Sequence, residues 1–336
     1  NKIPKKNKTY IQVFREIISS ENNLNLKINT DWITFHKERD TWLSEKFIDT
    51  FGKKRMYENK LTQHHKNIAS ALQLRLEEVI LSQLTYLKNK FKINNLCLSG
   101  GVGLNCSMNG KIAKSKIFDN IFVQPASGDA GLSIGAAINC SLETEPKKKL
   151  IFETNCYLGS RYSNQLIKKA INKYKDKIII IKNKDYFDFA SEVLIKKKRV
   201  GWFQGAAEFG PRALGNRSIL CNPGMLKMKE VLNEKVKSRE WYRPFAPVCR
   251  EGDAYRFFHM QGSCKWMSFC PEVKEEHKEG IVVKQPSSYY VVGARNKGWF
   301  KCKVMYNSNL RDTVNLLLLK KFRKQNEWNY KLGIRD

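Results

Sequence analysis

Six of the 16 arginines in this 336-residue chain fall between positions 212 and 256: Arg212, Arg217, Arg239, Arg243, Arg250 and Arg256. The chain as a whole prefers lysine, which it uses 45 times. Arginine clustered against a lysine background implies geometry. A guanidinium fork grips a phosphate or carboxylate with two parallel hydrogen bonds, whereas lysine offers a point charge. The cluster opens with Glu208-Phe209-Gly210-Pro211-Arg212-Ala213-Leu214-Gly215-Asn216-Arg217-Ser218. Lys235-Val236-Lys237-Ser238-Arg239-Glu240 and Arg243-Pro244-Phe245-Ala246-Pro247 follow. Gly and Pro fix the backbone there as an anion site requires; structural ion pairs with Glu208, Glu234 and Glu240 are the alternative. Two glycine loops stand upstream. Ser99-Gly100-Gly101-Val102-Gly103-Leu104-Asn105 lets backbone approach a ligand closely and offers N–H groups to an anion, or else it is only a tight turn. In Ser127-Gly128-Asp129-Ala130-Gly131, Asp129 is either a helix cap or a metal ligand beside a bound phosphate.

The elements that must carry these loops are legible from hydrophobic spacing. Apolar residues from Ile68 to Leu87 recur at helical intervals, which predicts a helix over 66–90. Ile93–Leu98 reads as a short buried strand running into the first glycine loop. Ile121–Gln124 reads as a strand, 125–129 as a loop and 131–141 as a helix. Strand, glycine loop and helix, twice over, predict an α/β sheet whose two loops open on one crevice at its carboxyl edge. Residues 1–60 read as helical pieces and loops with little chemistry. Glu145–Lys149 is the expected linker. Beyond it the pattern predicts helix 163–174, strand 177–182, helix 185–197 and strand 199–203, with a last helical stretch at Leu316–Lys324.

The formal net charge is +29. A nucleic-acid binder would use such charge to displace counterions from phosphates. However, the lysines are spread along the chain among Asn and Ile, the mark of AT-rich coding, and no nucleic-acid-binding motif accompanies them. Steep, micromolar binding to DNA or RNA in a salt titration would favour that rival, and weak binding would remove it. The positive field still suits small anionic substrates. Nine cysteines without a C-x-x-C pair, mostly in apolar stretches, suit buried thiols in a reducing cytoplasm rather than disulfides or a zinc ribbon. The histidines lack metal-ligand spacing, and His64 and His65 read as surface or cap residues. The longest aliphatic runs, Ile178–Ile181 and Leu316–Leu319, are far too short to cross a bilayer. No signal peptide is read at the start, and a first residue other than Met suggests a piece of something longer.

Taken together, five segments form a family pattern: Leu98–Asn105, Gln124–Gly131, Glu208–Leu220, Lys237–Glu240 and Arg243–Pro247. In this order and spacing the chain resembles the NodU/CmcH/TobZ-type carbamoyltransferases, from about residue 66 to 270. The resemblance implies an α/β fold of two domains. Residues 1–145 would be the C-terminal half of an actin-like ATPase-fold (Kae-type) domain. Residues 150–336 would be a YrdC-like domain, divergent after about 280. It also implies ATP-dependent transfer of a carbamoyl group from carbamoyl phosphate, through carbamoyl-adenylate, to a hydroxyl of a sugar or natural-product acceptor. Gly100, Gly101, Asn105 and Arg217 would bind the nucleotide, and Asp129 would ligate the family's divalent metal, Fe(II) in type. Arg212 and Arg243 would hold the phosphate or adenylate, and Lys237 the carbamoyl phosphate. The implied partners are the small-molecule acceptor, with no specific nucleic acid and no membrane; self-association stays open.

Two departures accompany the resemblance. The family's metal-binding histidines lie upstream of the matching residues, so the chain alone is expected to be short of metal ligands and as a fragment could be inactive. The family's late His-Val-Asp-Gly-Thr-Ala-Arg and Asn-Thr-Ser-Phe-Asn segments are missing, so 280–336 reads as divergent or partly misread sequence. A HypF-like or threonylcarbamoyl-transfer enzyme is the nearest rival. The former has the opposite domain order and zinc-finger cysteines.

Overall fold

In the computed structural model, Thr9 starts the first helix, its hydroxyl accepting from the Gln12 amide in a reciprocal capping box. The structure describes residues 2–4, 7–21, 24–147, 149, 155–181, 185–196, 199–222, 227–259, 264–274, 281–284 and 299–302. Two compact units divide them: Asn1–Leu98 with Asn105–Phe122, and Ser99–Leu104 with Val123–Asp336.

The first unit opens with α1 (Tyr10–Ile17) and an antiparallel hairpin of β1 (Ile18–Glu21) and β2 (Asn25–Ile28), where helical pieces and loops alone were expected. After α2 (Glu45–Phe51) comes the predicted long helix, α3 (Gln63–Phe91). Five aromatics of this region gather in a core, while Phe35, Trp42 and Tyr57 stay exposed. Phe51 lies 5.4 Å from Phe14, 4.6 Å from Phe47 and 6.4 Å from both Tyr10 and Trp32, ring centre to ring centre. His65 caps α3 by accepting the Thr62 amide, as expected of a cap residue. His64 is not on the surface: its ring lies half-buried between the Tyr10 hydroxyl (2.7 Å) and the Phe51 carbonyl (2.6 Å). A ring in that position ties α1 to the end of α2.

β3 (Asn95–Leu98) leads to α4 (Cys106–Ser115) and β4 (Asn120–Val123), and the two strands are neighbours in one sheet. Only alternate residues of β3 are sheltered, so it is a half-buried strand rather than the buried one predicted. Leu96, Leu98 and Ile121 pack on a second core of Leu84, Met108, Ile112 and Phe118. Ile112 is completely enclosed. Ile112→Ala should therefore destabilise the protein by about 2–5 kcal/mol in urea denaturation, the cost of lost burial plus a cavity.

In the second unit, α5 (Leu132–Thr144) follows the loop at 125–131, and none of its residues is buried. Helices α6 (Asn164–Lys173) and α7 (Tyr186–Ile195) and strand β5 (Arg199–Phe203) fall where the pattern placed them. The predicted strand at 177–182 does not form over its described residues. Residues 178–181 lie outside any strand, with Ile179 and Ile180 each 58% exposed, and among the described residues no strand pairs with them. β5 pairs antiparallel with β6 (Arg217–Cys221), matching Phe203 to Arg217 and Arg199 to Cys221. α7 packs against β5, with Phe187 and Trp202 stacked at 5.7 Å. Cys221 and Ile219 of β6 join Met228, Leu232 and Phe245 in the third core. Met228 and Leu232 come from α8 (Met228–Glu230), which widens into a π-helical turn over Val231–Val236. α9 (Glu251–Phe257), the pair β7 (Phe258–His259) and β8 (Glu272–Val273), and the antiparallel pair β9 (Ile281–Lys284) and β10 (Trp299–Cys302) complete the described elements. The helix predicted at 316–324 lies outside the described residues.

Of the eight cysteines whose side chains are described, only Cys156 and Cys221 are buried, while Cys97 and Cys140 are exposed. The expectation of mostly buried thiols is thus corrected. An apolar stretch in sequence shelters a side chain only where another element lies over it, and α5, which carries Cys140, has no residue so covered. Among the described residues no helix is long and apolar enough to cross a membrane.

Candidate active site

The loop between β5 and β6 is built around one carboxylate. Glu208 Oε1 accepts the backbone N–H groups of Leu214 (2.7 Å), Asn216 (2.8 Å) and Arg217 (3.2 Å). Burial pushes this carboxyl up, but the backbone N–H groups around it outweigh that and hold it below the usual carboxylate range. Gly210 (φ +132°) and Gly215 (φ +107°) supply left-handed corners that a residue with a Cβ adopts only under strain. Asn216 donates to the Ala206 carbonyl at 2.7 Å, closing the far side of the loop. Ion pairs were the alternative expected at Glu208, Glu234 and Glu240; Glu208 is bound to backbone amides instead, and Glu240 pairs with Arg243 at 2.7 Å.

Arg212, at the tip of this loop, turns inward. Its guanidinium donates to the Leu104 carbonyl at 2.6 Å and to the Met267 carbonyl. Leu104 closes the first glycine loop, so two motifs 108 residues apart in sequence meet here, within one unit. The second glycine loop joins them. A Cβ on Gly210 would lie 3.0 Å from the Pro125 carbonyl oxygen, and one on Gly128 3.7 Å from the Leu104 side chain. Gly131 comes closest of all: a Cβ there would sit 2.1 Å from the Ala126 oxygen. Gly100 (φ +92°) and Gly101 have open space where a Cβ would point, room in which a ligand could approach their backbone. Asp129 opens a short 3-10 turn, is exposed, and does not cap α5, whose first residue has no side-chain cap.

The other predicted residues have partners of their own. Asn105 belongs to the first unit, where it caps α4 through the Met108 amide (3.0 Å) and exchanges hydrogen bonds with Gln73 at 2.8 and 3.2 Å. Arg217 donates to the carbonyls of Gln204, Asn216, Ser160 and Gly205 and lies 3.6 Å over the Phe203 ring, so its fork is held by protein. Lys237 and Arg243 are exposed on the segment after the π-helical turn. No described hydrogen bond or ion pair joins either to Arg212 or Asp129. That segment is shaped by Asn233, fully enclosed, which donates to the Trp241 and Arg243 carbonyls (3.0 and 2.9 Å) and accepts from Arg239 at 2.7 Å. Glu208 and Asn233 are the residues sequence reasoning missed. The only signal was a polar side chain next to a rigid Gly-Pro corner in one case and inside an apolar helical run in the other.

Comparison with known proteins decides what this junction belongs to. The family model described as Carbamoyltransferase N-terminus matches residues 5–138, and that described as Carbamoyltransferase C-terminus matches 191–285. The chain belongs to the carbamoyltransferase family. All three loops at the junction fall inside these matches. Nodulation protein NolO of Bradyrhizobium diazoefficiens is 38% identical over 221 residues, 64% of this chain and 40% of that protein. Nodulation protein NolNO of Sinorhizobium fredii is 39% identical over 224 residues, 65% of this chain and 32% of the relative. A 3'-hydroxymethylcephem-O-carbamoyltransferase of Amycolatopsis lactamdurans is 33% identical over 203 residues, 60% and 37% of the two chains. The chain thus spans less than half the length of these relatives.

Proposed function

We propose that this protein serves ATP-dependent O-carbamoyl transfer: carbamoyl phosphate is hydrolysed to carbamate with loss of inorganic phosphate, the carbamate oxygen takes the adenylyl group of ATP with release of pyrophosphate to give carbamoyl-adenylate, and the carbamoyl group then passes to a hydroxyl of a small molecule with release of AMP. The contact that carries this is Arg212 on the Leu104 carbonyl, which sets a guanidinium beside a glycine loop with open backbone. Such a pair suits a phosphoanhydride, whose oxygens gain charge as adenylation proceeds. Family membership and a relative named for O-carbamoyl transfer support the reaction class. In domain terms, we take the matched parts as an actin-like ATPase-fold portion and a YrdC-like portion.

In this proposal the Gly100 and Gly101 backbone and Arg212 hold the nucleotide phosphates. Lys237 and Arg243, exposed on the same unit, receive carbamoyl phosphate and the adenylate. Arg217 and Asn105 keep the nucleotide loops in shape. The family's Fe(II)-type ion is a different matter. Asp129 is exposed, and among the described residues no three His, Cys, Asp or Glu side chains gather as metal ligands. Asp129 alone does not fit a metal, and we give the ion no step. A cytoplasmic setting suits the thiols, since among the described cysteines none is in a disulfide.

The experiment is direct. The intact protein incubated with ATP, carbamoyl phosphate and iron(II) should yield carbamoyl-adenylate by mass spectrometry, dependent on both substrates. Absence of that species under conditions where ATP binds would end the proposal.

A further inference from the structure

We infer that Glu208 is a positioning residue: its carboxylate fixes the 208–217 loop so that Arg212 engages the end of the first glycine loop. The inference rests on the reaction proposed above only for its consequence in nucleotide binding. Glu208 is itself a fixed point. The backbone on either side of it is anchored to another segment, Ala207 N–H donating to the Ser160 carbonyl (2.9 Å) and Phe209 N–H to the Cys156 carbonyl (2.6 Å). From that anchor one oxygen gathers the amides of Leu214, Asn216 and Arg217. The loop is thereby drawn into a ring whose two ends are both tied to residue 208, and Arg212 projects from the middle of it. Gly210 lies against the Pro125 carbonyl, so the ring cannot slide toward the second glycine loop, and Arg212 is left to reach Leu104 and Met267. A carboxylate suits this task because hydrogen bonds to a charged acceptor are stronger than neutral ones and a single oxygen can accept several. None of the hydrogen bonds described for it reaches the glycine loop, so an effect of its removal there is expected to travel through the ring and Arg212.

The test compares the intact wild-type protein with Glu208→Ala, Glu208→Gln and Arg212→Ala. In the alanine variant, the amides of Leu214, Asn216 and Arg217 should exchange with deuterium roughly tenfold faster or more. The amides of Gly100–Leu104 should lose protection as well, to the same extent as in Arg212→Ala. The KM for ATP should rise roughly tenfold to a hundredfold while kcat changes less. Glu208→Gln keeps an acceptor oxygen in place and should recover most of both effects; it also carries the test if the alanine variant fails to fold. Normal protection of Gly100–Leu104 in a variant whose ring amides have opened would overturn the inference. So would wild-type ATP affinity in that variant. If wild type binds no ATP, the proposed reaction falls, while the exchange pattern still decides whether Glu208 positions Arg212.

Discussion

Replacing Arg212 with alanine in the intact protein should lower carbamoyl-adenylate formation by at least about 10²–10³-fold, the loss that follows removal of one donor aimed at developing charge. Single-turnover formation of the adenylate, followed by mass spectrometry, is the measurement. The fold should survive. Arg212 is half-buried at a loop tip, and its two partners are backbone carbonyls that water can reach once the side chain is gone. Arg212→Lys separates charge from geometry. A lysine ammonium can meet one carbonyl or one phosphate oxygen but cannot form the fork, so it should recover little. Near-normal turnover in either variant would remove Arg212 from the reaction.

Gly131→Ala is expected to be as damaging by another route. The added Cβ would stand 2.1 Å from the Ala126 carbonyl oxygen and 3.2 Å from its carbon. Both are backbone atoms of the same tight loop, so no side chain can swing aside. The loop must open, at a cost of about 3 kcal/mol, the upper end of what overpacking takes. The second glycine loop carries Asp129 and abuts Gly210, so displacement by about 1 Å should also cost about 10²-fold in turnover. Gly135→Ala is the control: a Cβ there meets nothing within 4 Å. Equal melting temperatures for the two variants would show that the close approach at Gly131 is not rigid.

The sequence made these helices readable because each buries one face: Ile68–Leu87 repeats at helical intervals, and α7 covers β5. The glycine loops were readable because left-handed or crowded backbone, as at Gly100 and Gly131, admits little else. Three things were not. Ile178–Ile181 has the composition of a strand, but strands need partners, and pairing is not written in a four-residue run. The core aromatics of residues 1–60 have no clear period because Tyr10, Phe14, Trp32 and Phe47 converge on Phe51 from α1, α2 and the turn at Trp32. Glu208 looked like an ion-pair partner because its amide donors, six to nine residues downstream, have no side-chain signature. For Arg212, residue type and flanking Gly-Pro gave the inward fork. For Arg217 the same signals marked a side chain that the structure ties to four carbonyls.

The uneven exposure of the cysteines gives this protein a built-in stopwatch. Cys221 is 1% exposed, and burial pushes its thiol up to about 11; Cys97 and Cys140 face solvent. An alkylating reagent at neutral pH should therefore tag Cys97 and Cys140 within the mixing time and reach Cys221 only when the β5–β6 hairpin opens. The lag between the two signals would time that opening without an engineered reporter.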